Sequence, residues 1–152
     1  MKIIVIGGGQ VGGTLVGQLS QENHDITLID IDMHKVRKLT EEYDVMGVCG
    51  SGISVETLEE AGVRESDIVI AVTESDEVNL LCAVMAKKIR DAHTIARVRN
   101  PILSGETEFI RKQLGISMII NPDLATAREI RQLIKYPSAI SIDSFAGGLV
   151  YL

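Results

Sequence analysis

Lys2-Ile-Ile-Val-Ile-Gly7-Gly8-Gly9-Gln10-Val11-Gly12-Gly13 is the stretch whose reading decides the fold of this chain. The unbroken apolar run Ile3 to Ile6 reads as a strand buried on both faces, the mark of a parallel sheet covered by helices. Glycines follow at once, and an amphipathic segment follows them. Gly7, Gly9 and Gly12 fit G-x-G-x-x-G, and each meets a geometric demand. Gly7 lets the chain turn sharply out of the strand. Gly9 leaves room for a pyrophosphate to reach the backbone, and Gly12 lets the helix pack close to the strand. The N–H groups at the start of that helix then face the phosphates, with the helix dipole behind them.

Working outward, the same alternation continues. Residues 10–22 read as a helix with Val11, Leu15, Val16 and Leu19 on one face. Strands follow at 25–29, ending at Asp30, and at 45–48, 67–72, 94–98 and 118–120. Between them lie helices at 32–42, 54–61, 75–90 and 103–114, the last built around Phe109, Ile110 and Leu114. A final helix opens at Asn121-Pro122, with proline well placed in its first turn. Strands and helices in strict alternation predict an α/β fold, a Rossmann-like doubly wound six-stranded parallel sheet with helices on both faces. The division expected is a nucleotide-binding domain over 1–134 and an extension over 135–152. In that extension Ile140–Asp143 and Leu149–Leu152 read as strands. The last strand then has no partner, so the extension is expected to begin a second domain or to pair with another subunit.

Bulk properties narrow the function. At 152 residues the chain fits one domain with a sizeable core. A net charge of −6 argues against nucleic acid, because binding phosphodiesters needs a basic face. No apolar run is long enough to span a bilayer, and the N-terminus lacks signal-peptide organisation. Cys49 and Cys82 are far apart in sequence and have no metal-ligand spacing, so they read as two reduced thiols.

The glycine motif needs an acidic residue at the end of the next strand, about 20 residues on, and Asp30 stands there. Its carboxylate can accept from the adenosine ribose hydroxyls and repel a 2′-phosphate, which favours NAD(H) or plain adenine nucleotides over NADP(H). Asp32 can contact the adenosine end or cap a helix. Lys35, one turn on, can touch ribose or phosphate or simply face solvent. Gly50-Ser51 can border an adenine pocket or form a loop and cap. Thr73-Glu74-Ser75 ends the fourth strand, where ligands of this fold lie; it can meet the pyrophosphate or the distal nucleoside, and can also cap the next helix. Arg97 and Arg99 alternate along the fifth strand and so share a face. Two charges there need a phosphate, a subunit interface, or an ion pair with Glu74 or Asp76. The candidate cofactor site is therefore Gly7, Gly9, Gln10, Val11, Gly12, Asp30, Ile31, Asp32, Lys35, Gly50, Ser51, Thr73, Glu74, Ser75 and Arg97.

Four segments together resemble one family: Gly7-Gly-Gly-Gln-Val-Gly12, Leu28-Ile-Asp30-Ile-Asp32, Ala71-Val-Thr-Glu-Ser-Asp76-Glu77-Val-Asn79 and Ala96-Arg97-Val-Arg99-Asn-Pro101. They are similar to the N-terminal KTN (RCK) domain of the TrkA/KtrA class, regulatory subunits of bacterial and archaeal potassium uptake. The resemblance implies binding of NAD(H), and of ATP or ADP, in this pocket. It also implies homodimers or higher rings and docking on a membrane potassium transporter of the TrkH/KtrB type. The location implied is cytoplasmic, peripheral at the inner face of the membrane through that transporter. Gly50-Ser51-Gly52 departs from the family's usual Gly-Asp-Ala or Gly-Asp-Gly. Gln10 replaces an arginine common in KtrA-type proteins, which leans the chain toward the TrkA type.

The rival reading is a small NAD-dependent oxidoreductase, or its isolated cofactor domain. Such an enzyme needs a substrate site and a proton donor near the nicotinamide. The alternating elements consume about 135 residues. His24, His34 and His93 all fall away from the strand ends that hold ligands, and read as solvated surface residues. A methyltransferase is a third option, less consistent with the third glycine. A sensor is expected to present apolar interface surface on the helix of 75–90 and on the one after Pro122, from Leu80, Val84, Met85 and Ile134.

Overall fold

The computed structural model describes residues 1–135, 144–145 and 150–151, which fall into two compact units, Met1–Ile120 and Asn121–Leu152. The first unit is a six-stranded sheet of β1 (Lys2–Ile6), β2 (Asp25–Asp30), β3 (Met46–Cys49), β4 (Ile68–Ala71), β5 (His93–Arg97) and β6 (Met118–Ile120). Every pairing in it is parallel and the order is β3-β2-β1-β4-β5-β6, that of a doubly wound Rossmann-like sheet.

β1 is central because its apolar run has neighbours on both edges and both faces. Ile3 and Val5 join Ile26, Leu28, Val16 and Leu39 in one buried cluster. Ile4 and Ile6 join Ile29, Leu58, Val69, Cys82 and Ala86 in another. The period-two alternation of a strand thus sends successive residues into two separate cores. One face is covered by α1 (Gln10–Leu19) and α2 (Met33–Tyr43), the other by α3 (Val55–Glu60) and α4 (Asp76–Ile89). Ala83, Ala96 and Ile116 form a third small cluster toward β6. Side-chain caps start three of these helices: Asp32 for α2, Ser54 for α3 and Ser75 for α4.

The glycine turn shows why its residues must be glycines. Gly7 has φ +106°, and a Cβ there would lie 2.9 Å from the Thr73 nitrogen. A Cβ on Gly12 would lie 1.7 Å from the Gly7 carbonyl oxygen, whereas one on Gly9 would meet nothing within 4 Å. Gly7 and Gly12 are therefore demanded by packing, and Gly9 opens onto free space.

Several expectations need correction. The helix expected over 103–114 is two, α5 (Pro101–Gly105) and α6 (Thr107–Leu114), broken at Glu106, whose φ and ψ of −102° and 10° leave the helical region. Phe109 is 64% exposed and α6 buries no residue, so it has no core face of its own. The first helix passes into a 3₁₀ turn at Ser20–Glu22. Val11 is exposed rather than inward. Leu80 and Val84 pack on the third cluster and Met85 on the β1–β4 core, because this helix buries a wide face; the exposed apolar residue on α4 is Leu81. His24 is half-buried, its Nε2 3.6 Å from Glu22 Oε2, while His34 and His93 are exposed. Cys49 and Cys82 are free thiols, and burial pushes the Cys82 thiol up to about 12.

In the second unit, α7 (Pro122–Lys135) begins where the Asn121 side-chain oxygen accepts from Leu124 N–H at 3.0 Å. Ile134 on this helix is exposed, as expected. β7 (Ser144–Phe145) pairs antiparallel with β8 (Val150–Tyr151), so the last strand does have a partner. The strand expected at Ile140–Asp143 lies outside the described residues. Among the described residues no helix is long and apolar enough to cross a membrane.

The glycine contacts predict opposite outcomes for neighbouring substitutions. Gly12→Ala should lower unfolding free energy by about 1–3 kcal/mol, the cost of overpacking against fixed backbone. Gly9→Ala should change it by less than about 0.5 kcal/mol, as surface changes do. Urea denaturation followed by circular dichroism reads both.

Candidate functional site

A cleft of about 730 Å³ opens at the carboxyl ends of the strands, where β1 and β4 lead their helices to opposite faces. Crevices at this switch point are where doubly wound sheets take their ligands. Its floor is Ile6, Ile29 and Val72, its centre the turn Gly7 and Gly9 with Gln10 and Val11 of α1. On the β2–β3 side stand Asp30, Ile31, Lys35, Gly50 and Ser51; on the β4–β5 side stand Thr73, Glu74, Ser75 and Arg97. These thirteen of the fifteen candidate residues line the cleft together.

The other two stand behind it. Gly12 is buried against the Gly7 carbonyl. Asp32 caps α2, its Oδ1 accepting from His34 N–H at 2.9 Å. The cap thus falls to Asp32, which frees Asp30 for the cleft.

Asp30 holds the turn. Its Oδ2 accepts from Gly8 N–H at 2.6 Å and its Oδ1 from Asp32 N–H at 2.8 Å. Each carboxylate oxygen keeps a further acceptor site. The negative charge therefore sits beside the glycine turn, with lone pairs left for a ligand's hydroxyls. Lys35 packs its Cβ within 3.4 Å of where a Gly8 side chain would begin. The α1 terminus has no side-chain cap and no acidic residue in its first turn, so its N–H groups keep their positive end toward the cleft.

The opposite wall is a hydrogen-bonded lattice. Arg97 Nη2 donates to the Thr73 carbonyl at 2.7 Å, and Arg99 Nη2 to the Glu74 carbonyl at 2.8 Å. Asp76 Oδ2 accepts from the N–H groups of Arg99 and Asn100 at 2.9 and 2.7 Å, and Arg99 Nε lies 4.0 Å from Asp76 Oδ1. Of the ion pairs weighed for these arginines, the one between Arg99 and Asp76 is present. Both line the cleft. Ser75 does two things: it caps α4 by accepting from Val78 N–H and it lines the cleft.

Gly52, Ile53, Val78 and Arg99 line the cleft without having been placed in the candidate set. A Cβ on Gly52 would come 2.3 Å from Ile6 Cγ2 and 3.0 Å from Cys82 Sγ, so this glycine presses the loop onto the core. That leaves Ile53 exposed at the rim, facing the space also bordered by Val11 and by Ile31, which is 78% exposed. An isolated isoleucine in a polar turn was the signal for Ile53. Exposed apolar side chains around one concavity suit a flat apolar ring. A second cleft of about 430 Å³ lies at the amino ends of β1 and β2, beside His24, Tyr43 and Glu60. Gly62 is the one glycine in its lining, with none of the G-x-G-x-x-G arrangement, and it sits at the end of the sheet that this fold does not use for ligands.

Residues 3–122 match the TrkA-N domain family. The Trk system potassium uptake protein TrkA of Halomonas elongata is 40% identical over 154 residues, covering 100% of this chain and 34% of that protein. The chain thus spans about a third of the length of such relatives. Among solved structures, the TrkA-N domain of the inner membrane protein ybaL from Escherichia coli superposes with a TM-score of 0.77 at 19% identity, covering 88% of this chain and 96% of that one. The GsuK channel, solved bound to NAD, does so with a TM-score of 0.66 at 21% identity, covering 78% and 21%, and it has also been solved bound to ADP. The fold, the glycine turn on β1 and the match over most of the chain agree: the chain belongs to the TrkA-N domain family.

Proposed function

We propose that the cleft binds NAD(H) and, in the same place, ATP or ADP, and that the chain serves as the nucleotide-sensing part of a regulatory subunit of potassium uptake. The observation that carries this is Asp30, whose carboxylate is hydrogen-bonded to the glycine turn at 2.6 Å and lines a cleft at the switch point of the sheet. Adenosine lies on the β2–β3 side, its ribose hydroxyls on Asp30 and its base against Ile31, beside Gly50 and Ser51. The pyrophosphate lies over Gly7, Gly9, Gln10 and Val11, with Lys35 close by. The remainder of the ligand reaches Thr73, Glu74, Ser75 and Arg97. Gly12 and Asp32 act from behind, shaping the turn and the start of α2. The nucleotides carried by the GsuK channel and the potassium-uptake name of the Halomonas relative support this reading.

On this reading the chain senses and does not catalyse. A nucleotide shifts a conformational equilibrium only through its different affinity for the two states. The partners are then a second copy of the chain, in a dimer or ring, and a membrane potassium transporter of the TrkH/KtrB type. The location is cytoplasmic, held at the membrane through that transporter. On this reading residues 1–134 are the nucleotide-binding KTN domain, and 135–152 an extension that starts a second domain or meets another subunit.

Titration calorimetry should find that NAD(H) and ADP bind the chain and that Asp30→Ala weakens both by about 1–3 kcal/mol, the scale of a lost charged hydrogen-bond partner. Unchanged affinity would remove Asp30 from the site. Gly9→Val should abolish binding with the melting temperature retained, since its side chain projects into the cleft mouth and not into protein. Normal binding by that variant would make the glycine turn purely structural.

A further inference from the structure

Asn79 is fully buried behind the β4–β5 wall of the cleft. Its Oδ1 accepts from Thr73 N–H and from the Thr73 hydroxyl, both at 2.7 Å. Its Nδ2 donates to the carbonyls of Thr73 and Arg97 at 3.1 and 2.9 Å. Three of these four partners are backbone groups of fixed polarity: an N–H that only donates and two carbonyls that only accept. They leave the amide one orientation. With its oxygen pinned there, the Thr73 hydroxyl gives its single proton to Asn79. The alternative acceptor, the Ser75 carbonyl at 3.3 Å, would also take that proton into the protein. Thr73 therefore shows the cleft lone pairs and no donor. Its neighbours agree in sign. The Ser75 hydroxyl donates to Glu77 Oε2 at 2.9 Å, and the Glu74 carboxylate is exposed beside it.

We propose that Thr73, held as an acceptor by Asn79, is a specificity-determining residue: it selects a second ribose beyond the pyrophosphate over a third phosphate. The inference rests on the nucleotide reading above. A ribose hydroxyl donates to the Thr73 oxygen. A terminal phosphate at neutral pH brings acceptor oxygens and negative charge against Thr73 and Glu74, and a contact between two acceptors leaves both unpaired. Arg97 and Arg99 also stand on this wall, but each turns an Nη2 donor to a backbone carbonyl, of Thr73 and of Glu74, while the Thr73 oxygen itself offers a ligand only lone pairs. Asn79 is the positioning residue; it acts on the ligand only through Thr73.

Competitive calorimetry on the unaltered chain with ADP, ADP-ribose and ATP tests this directly. ADP-ribose should bind about tenfold more tightly than ADP, the worth of a matched hydroxyl contact, and ATP no more tightly than ADP. Thr73→Val should remove the gain of ADP-ribose over ADP, with an unaltered circular dichroism spectrum and melting temperature reporting that the variant is folded; Thr73→Ser should restore the gain. ATP binding as tightly as ADP-ribose to the unaltered chain would overturn the inference, as would a preference for ADP-ribose that survives in Thr73→Val. Failure of the unaltered chain to bind ADP would instead overturn the nucleotide reading on which it rests.

Discussion

The contact on which the mouth of the cleft depends is that of Gly12 with the Gly7 carbonyl oxygen. With no side chain at Gly12, the first turn of α1 lies directly on the turn that leaves β1; any Cβ there would stand 1.7 Å from that oxygen. This closeness lets α1 start immediately beyond the strand and carries Gln10 and Val11 over the gap between β1 and β4. Three further latches tie neighbouring strand ends to it. Gly7 packs beneath Thr73, joining β1 to β4. Asp30 accepts from Gly8 N–H, joining β2 to β1. Asn79 bonds both Thr73 and the Arg97 carbonyl, joining β4 to β5. The cleft is thus a set of strand ends locked to one another by backbone contacts and buried polar side chains. Such an arrangement holds its donors and acceptors in place before a ligand arrives, which lowers the ordering cost of binding.

The parts legible in sequence were those with a local cause. Ile3 to Ile6 had to be buried on two faces, and the glycines had to follow a strand and open a helix. Asp30 had to stand at the next strand end. Each of these is a requirement on neighbouring residues, and the cleft accordingly gathers thirteen of the fifteen candidates. What escaped depends on distant packing. Periodicity alone placed Val11 inward, but α1 begins so close to the turn that its first residues face the cleft. It counted Leu80, Val84 and Met85 as surplus, but α4 packs against two clusters at once. It read one helix over 103–114, whose apolar residues in fact lie on an exposed α6 interrupted from α5 at Glu106. Asn79 was visible only as one letter of a family segment. Its part in the wall comes from bonds 6 and 18 residues away in sequence, which no local pattern encodes.

The two walls of the cleft differ in chemistry, and on the proposed reading this bears on which nucleotides the cleft can distinguish. The β2–β3 wall combines a carboxylate with exposed apolar residues, features suited to an adenosine that every adenine nucleotide shares. The β4–β5 wall mixes two guanidinium groups with acceptor oxygens whose polarity the fold dictates. Affinity would then come chiefly from the first wall and discrimination from the second. Asp76, which pairs with Arg99 and anchors the N–H groups of Arg99 and Asn100, ties the second wall to the start of α5. A ligand that shifts Arg99 therefore acts on the segment leading to α5, which carries the exposed Ile102.

The most direct measurement is the amide ¹⁵N–¹H spectrum of the labelled chain titrated with NAD⁺. Binding in the cleft predicts that the largest shifts fall on Gly7 to Val11, Asp30 to Lys35 and Thr73 to Ser75, at both walls together. Shifts centred instead on the second cleft, around His24, Tyr43 and Glu60, or no shifts at millimolar nucleotide, would contradict it.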